Sequence, residues 1–146
     1  MSRQKTQDAR IGKIVGGDDD ELTFDDGVQR FFEHLKSNLQ LPGVVTGAED
    51  FRWEEFYVIG PGDPEEYDQL RKDQPSYQDK YDLLSIDNDG WSEWMLFSGE
   101  DLVAHVRRQS DGKEFYLGLA ELDAVNKKSK NYQLLRDYGV WFVNSR

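Results

Sequence analysis

The chain contains no cysteine, which excludes a disulfide framework, a thiolate zinc site and a thiol nucleophile. Its only two histidines, His34 and His105, form neither an HxH nor an HExxH pair. No run approaches the roughly 18 consecutive apolar residues that a membrane-spanning helix requires. Positive charge is scarce: 18 Lys and Arg stand against 29 Asp and Glu, a formal net charge of −11. Nucleic acid and anionic membrane both need a basic face to neutralise phosphates, so neither is an expected partner. The glycine-rich phosphate loops and the GxSxG nucleophile elbow are also missing. Gly60-Pro61-Gly62 comes nearest, but it runs at once into Asp63-Pro64-Glu65-Glu66, whose carboxylates would repel a phosphate. With no catalytic motif in view, the chain reads as a binding protein rather than an enzyme.

What is present is acid, and it is unevenly placed. Residues 1–48 are net −2, residues 49–101 net −12 and residues 102–146 net +3. One stretch of the chain therefore accounts for the whole imbalance. Like charge at that density repels itself and weakens the compact state unless counter-ions are held.

At 146 residues the chain can bury one sizeable core. Residues 1–23 read as a flexible polar tail, followed by a single domain over 24–146. Residues 1–11 lack the apolar segment of a secretory signal, so a cytoplasmic location is expected. Residues 16–21, with Asp18, Asp19 and Asp20, read as an acidic linker.

The first helix begins at Asp25 or Asp26, either of which can cap it. Val28, Phe31, Phe32, Leu35 and Leu39 follow at helical spacing, and Pro42-Gly43 stops it. The aromatic run 51–59 alternates and then slips phase at Glu54-Glu55, which suggests a bulged strand or two short ones. Residues 82–86, 94–97, 102–107 and 114–119 read as further strands. The last two flank Asp111-Gly112, a hairpin dipeptide. Ser129 caps a C-terminal helix through Tyr132, Leu135 and Tyr138; a break at Gly139 with a last strand over 140–143 is the expectation, and continuation of the helix is the alternative, since an interior glycine costs only about 1 kcal/mol. The sum is α+β: an antiparallel sheet of about five strands, an N-terminal helix and a C-terminal helical segment. His105, on a strand beside apolar residues, reads as a satisfied sheet histidine.

Two carboxylate clusters carry the functional reading. Calcium takes 6–8 oxygen ligands and needs no nitrogen or sulfur, which suits this composition. In Ser85-Ile86-Asp87-Asn88-Asp89-Gly90-Trp91-Ser92-Glu93, Asp87, Asp89 and Glu93 can be aimed together by a sharp bend at Gly90. The segment is no EF-hand, because Leu96 stands where that loop needs its final glutamate. A plain Asx turn between strands explains the same residues. In the second cluster, Asp63 and Glu66 fit a helix cap around Pro64, leaving Glu65 and Asp68 unexplained. Cap alone and cap plus cation both remain open. Glu49-Asp50, Glu54-Glu55 and Glu100-Asp101 could join either cluster in space.

Arg107-Arg108-Gln109-Ser110-Asp111-Gly112-Lys113, Asn131-Tyr132-Gln133-Leu134-Leu135 and Asp137-Tyr138-Gly139-Val140-Trp141-Phe142-Val143-Asn144 resemble a family of small acidic calcium-binding proteins from cyanobacteria. Trp53-Glu54-Glu55-Phe56-Tyr57 and Pro75-Ser76-Tyr77 agree, so the resemblance spans roughly residues 28–146. It implies an intracellular protein that binds Ca²⁺ through surface carboxylates, compacts on binding and buffers free calcium; a monomer is expected. The carboxylates to which that function would fall are Asp63, Glu65, Glu66, Asp68, Asp87, Asp89 and Glu93. An acidic protein that docks on a basic protein partner, as an inhibitor or nucleic-acid mimic, is the alternative.

Overall fold

A computed structural model describes residues 3–16 and 22–146. The element order is α1 (Arg3–Val15), α2 (Phe24–Asn38), β1 (Gly43–Gly47), a 3-10 turn (Arg52–Glu54), α3 (Glu55–Val58), α4 (Pro64–Leu70), β2 (Tyr81–Asp87), β3 (Val103–Arg108), β4 (Glu114–Gly118), β5 (Leu122–Ala124) and α5 (Lys130–Ser145). The strands form one antiparallel sheet in the order β4-β3-β2-β1-β5. The expected α+β class and five-stranded sheet are both present. Among the described residues no helix is long and apolar enough to cross a membrane.

Helix α2 starts two to three residues earlier than a cap at Asp25 or Asp26 suggests. Thr23 is its cap: the hydroxyl accepts from the Asp26 N–H at 3.1 Å, and the Asp26 carboxylate accepts from the Thr23 N–H at 3.2 Å. This reciprocal pair satisfies two otherwise orphaned donors. Val28, Phe31 and Leu35 then face inward and are buried. Ser129 caps α5 as expected, accepting from the Tyr132 N–H at 3.1 Å. The helix does not stop at Gly139 but runs on to Ser145, so residues 140–143 are helical rather than a strand. Continuation buries Trp141 and Phe142 beside Phe24 and Phe31, and this burial outweighs the roughly 1 kcal/mol cost of an interior glycine.

Helix α1 occupies residues that the sequence reading leaves in a tail. It packs on α2 and α5, and Arg10 reaches Asp137 with Nε to Oδ2 at 2.8 Å and Nη2 to Oδ1 at 3.0 Å. Asp137 is itself almost fully buried, so its charge needs that partner. The expected acidic linker falls mostly on residues 17–21, outside the described residues.

The run 51–59 is not a strand. It turns through the 3-10 segment into α3 because Glu54, fully buried, gathers four donors. Its carboxylate accepts from Tyr67 Oη (2.5 Å), Ser76 Oγ (2.7 Å), the Tyr77 N–H (2.7 Å) and the Phe51 N–H (3.3 Å). The phase slip at Glu54-Glu55 is thus a helical turn with one inward carboxylate. Residues 94–97 are also turn, folded by Ser92: its carbonyl accepts from the Met95 N–H, and its hydroxyl accepts from the Trp94 N–H.

The predicted hairpin is present between β3 and β4, and it presents Arg108 inward. Arg108 is 2% exposed and bridges to Asp111 (Nη2–Oδ2 2.7 Å) and Asp79 (Nη1–Oδ2 3.1 Å). It also donates to the carbonyls of Arg71, Lys72 and Gln74 at 3.1, 2.7 and 2.9 Å, and it covers the Phe115 ring. One guanidinium therefore ties the 71–79 segment to the sheet. Arg108→Met should strand two carboxylates and three carbonyls and cost about 3–5 kcal/mol. A lower urea midpoint with unchanged slope checks this; a shift below about 1 kcal/mol contradicts it.

Candidate metal site

Strand β2 ends at Asp87, opposite Val103 of β3, and the chain turns immediately. Asp87 Oδ1 accepts from the Asp89 N–H at 3.2 Å, an Asx-type turn, and Gly90 takes φ +149, which permits the bend. Asn88 projects the other way and its side-chain amide donates to Gln29 on α2. The 88–90 tip is thereby pinned to the first helix of the domain.

This tip divides two hollows. On one side Asp25, Gln29, Asn88, Asp89, Glu100 and Asp101 line a cavity of about 310 Å³. On the other, Asp87 and Asp89 share a cavity of about 370 Å³ with Trp91, His105 and Tyr116. Asp89 alone of the carboxylates faces both. His105 stacks on Tyr116, with ring centroids 4.7 Å apart, and its Nε2 lies 2.7 Å from Glu114 Oε1, so it is a satisfied sheet histidine as expected. Trp91 stands 73% exposed at the mouth. Glu93 is exposed and lines neither hollow.

The second sequence cluster is engaged separately at each residue. Asp63 caps α4, accepting from the Glu65 N–H at 3.4 Å, with Pro64 in the first helical position. Glu66 does not complete a capping box; its Oε1 accepts from Tyr57 Oη at 2.9 Å, and that bond holds the Tyr57 hydroxyl above its ordinary pKa. Glu65 is exposed. Asp68 lines a hollow with Arg71, Lys72, Asp79, Arg108 and Asp111, where three positive charges already match the three carboxylates and Asp79 and Asp111 are paired with Arg71 and Arg108. Among the described residues, no three His, Asp or Glu side chains stand as a ready group for a metal ion. The oxygen-only donors around the 88–101 loops suit a hard cation in kind. Their arrangement is open rather than a finished cage.

Behind the first cavity lies a pair that sequence reasoning left open. Asp101 is buried and accepts from Tyr138 Oη at 2.6 Å and the Ala120 N–H at 3.0 Å. Glu121, half-buried, accepts from the Leu96 N–H at 3.2 Å. Both carboxylates crowd Gly118, where an added Cβ would stand 2.5 Å from Glu121 Oε2 and 2.6 Å from Asp101 Oδ2. Burial is the main force raising each to about 7, with their mutual repulsion adding to Asp101. Only the fold brings them together, so no local motif could announce them.

No family model and no curated protein matches the chain. Two solved structures do. One is a calcium-binding protein in its calcium-binding form, with 14% identity, a TM-score of 0.59, and 99% of this chain and 97% of that chain covered. The other is the crystal structure of Anabaena CcbP, with 13% identity, a TM-score of 0.56, and 97% and 92% covered. This chain has their fold. The match runs from end to end in all three, so it includes α1 as well as the sheet.

The raised carboxyls set a pH dependence. A carboxyl whose folded pKa is about 7 and unfolded pKa about 4.5 binds its proton more tightly when folded, so its contribution to stability is complete below about 4.5. That contribution is lost as pH rises through about 7. The melting temperature should therefore fall between pH 5 and pH 8, and Glu121→Gln should flatten part of that slope. A variant with the parent's slope contradicts the assignment.

Proposed function

We propose that this chain binds calcium and serves as a calcium buffer. The observation that carries the reading is the fold shared, along nearly the full length, with a calcium-binding protein in its calcium-binding form. The distribution of acid supports it independently. Residues 49–101 carry a local charge of −12, and each Ca²⁺ would relieve two units of that repulsion.

The ion belongs at the 88–90 tip, in the cavity where three segments meet. Asp89 comes from the β2 turn, Asp25 from the first turn of α2 and Glu100 from the loop before β3. The side-chain oxygens of Asn88 and Gln29 are further donors of the right kind. Asp87 acts from behind, holding the turn through the Asp89 N–H. Asp101 is already committed to Tyr138 and Ala120 and anchors the wall. Because the donors lie on separate segments, binding must draw those segments together, and the folded state compacts. An open site of this sort falls in the range of about 10⁻⁷–10⁻⁴ M rather than at the tightest EF-hand values. Asp63, Glu65, Glu66, Asp68 and Glu93 supply a diffuse, weaker capacity on the surface. The chemistry is binding and release, with no bond made or broken, and the setting is the cytoplasm.

Calorimetry tests the site directly. Asp87→Asn combined with Asp89→Asn should weaken the tightest calcium event by at least about tenfold. Replacing Asp63, Glu65, Glu66 and Asp68 by their amides should reduce only the weak capacity. A double variant that titrates like the parent would rule out the 88–90 tip. Terbium, a calcium mimic, offers a second readout: Trp91 should sensitise its luminescence, and Trp91→Phe should abolish that signal while calcium affinity is kept.

A further inference from the structure

A mainly apolar hollow is lined by Glu121 of the Asp101–Glu121 pair, whereas Asp101 lines the candidate calcium cavity. It is a groove of about 390 Å³ between α5 and the segments at 48–50, 96–97 and 120–123. Leu96, Phe97, Val140 and Val143 give it apolar walls. Leu96 is 43% exposed and Val143 64% exposed, so these walls face solvent instead of finishing the core. Gly139 opens the floor. An added Cβ there would meet the Ala120 carbonyl oxygen at 3.7 Å, an ordinary van der Waals contact, so no clash keeps this position a glycine. An interior helix position that costs about 1 kcal/mol as glycine thus leaves the groove its depth.

The polar part of the groove has one sign in excess. Glu49, Asp50, Glu121 and Asp123 line it against Arg136 alone. Arg136 already lies 3.8 Å from Asp123, whereas Glu49 and Asp50 have no ion-pair partner among the described residues. The Glu121 carboxyl, raised by burial, would regain its charged form beside a cation. A second copy of this chain, net −11, is a poor occupant on charge, and so is any polyanion.

From this complementarity we infer that the groove docks a cationic amphipathic segment of a partner protein, with an apolar side chain over Gly139 and lysine or arginine against Glu49, Asp50 and Glu121. The site is separate from the 88–90 tip, so it stands whether or not that tip holds calcium. Apolar walls supply the affinity, and the carboxylates select the sign of the partner.

The test uses the full chain in chelator at about 0.15 M salt, where diffuse surface attraction is largely screened. Fluorescence anisotropy follows a labelled amphipathic leucine–lysine helical peptide. Two comparison peptides carry serine in place of leucine, or glutamate in place of lysine. The leucine–lysine peptide should bind at least about tenfold more tightly than either. Gly139→Leu fills the groove without changing charge and favours the helix, so it should keep or raise the melting temperature while losing the peptide. Val143→Glu should lose it too, and Glu33→Gln with Glu114→Gln, which removes two exposed charges outside the groove, should leave binding unchanged. The proposal is overturned if the serine–lysine peptide binds equally or the distant charge variant loses as much as the groove variants. Parent-like binding by a folded Gly139→Leu, or a dimer that Gly139→Leu dissociates, overturns it as well.

Discussion

The guanidinium of Arg108 is the contact on which the irregular 64–80 segment depends. Residues 64–80 contain one short helix and otherwise turns. Arg108 projects from the β3–β4 hairpin into that segment, pairs with Asp79 and with Asp111 of its own turn, and takes the carbonyls of Arg71, Lys72 and Gln74. Arginine rather than lysine suits the task, because its planar fork can serve several acceptors at once. Glu54 does the converse a few residues away: a buried carboxylate held by hydroxyls and backbone N–H groups, with no cation among its hydrogen-bond partners. These two buried charges give an irregular, acid-rich stretch a fixed shape.

The remaining acid is left in the open. At 88–101 the carboxylates surround a cavity without a cation between them, whereas at 63–68 they serve a helix cap and a tyrosine. A site whose walls repel one another in the absence of ligand is predisposed to respond to a divalent ion by closing. Buried Asp101 lines that cavity and half-buried Glu121 lines the apolar groove of α5, and the two carboxylates meet at Gly118.

How far the sequence reveals this depends on how local each signal is. The hairpin at Asp111-Gly112, the caps at Asp63 and Ser129 and the inward stripe of α2 are local, and each is found where the residues indicate. The aromatic run at 51–59 misleads because alternation is also what a tight turn produces around one inward-facing Glu54. Gly139 misleads because helix propensity is weak beside the burial of Trp141 and Phe142. Strand β1, Gly43–Gly47, is hidden by glycines that read as punctuation although it sits between β2 and β5. Of the candidate site, the Asp87–Gly90 turn is legible. Glu100 is legible only as one of several acids that could join it, and Asp25 reads as a helix cap, since they come from segments some 10 and 60 residues away that only the folded chain brings to Asp89.

If calcium is the cation this acidic face holds, thermal unfolding of the chain shows it. With calcium at about 100 times the dissociation constant, binding to the folded state alone contributes about 2.7 kcal/mol. For a chain of this size that amounts to a rise of about 5–11 °C over chelator. Calcium should give that rise, and magnesium at the same concentration a clearly smaller one. Equal rises with both ions, or a melt that calcium leaves unmoved, would contradict it.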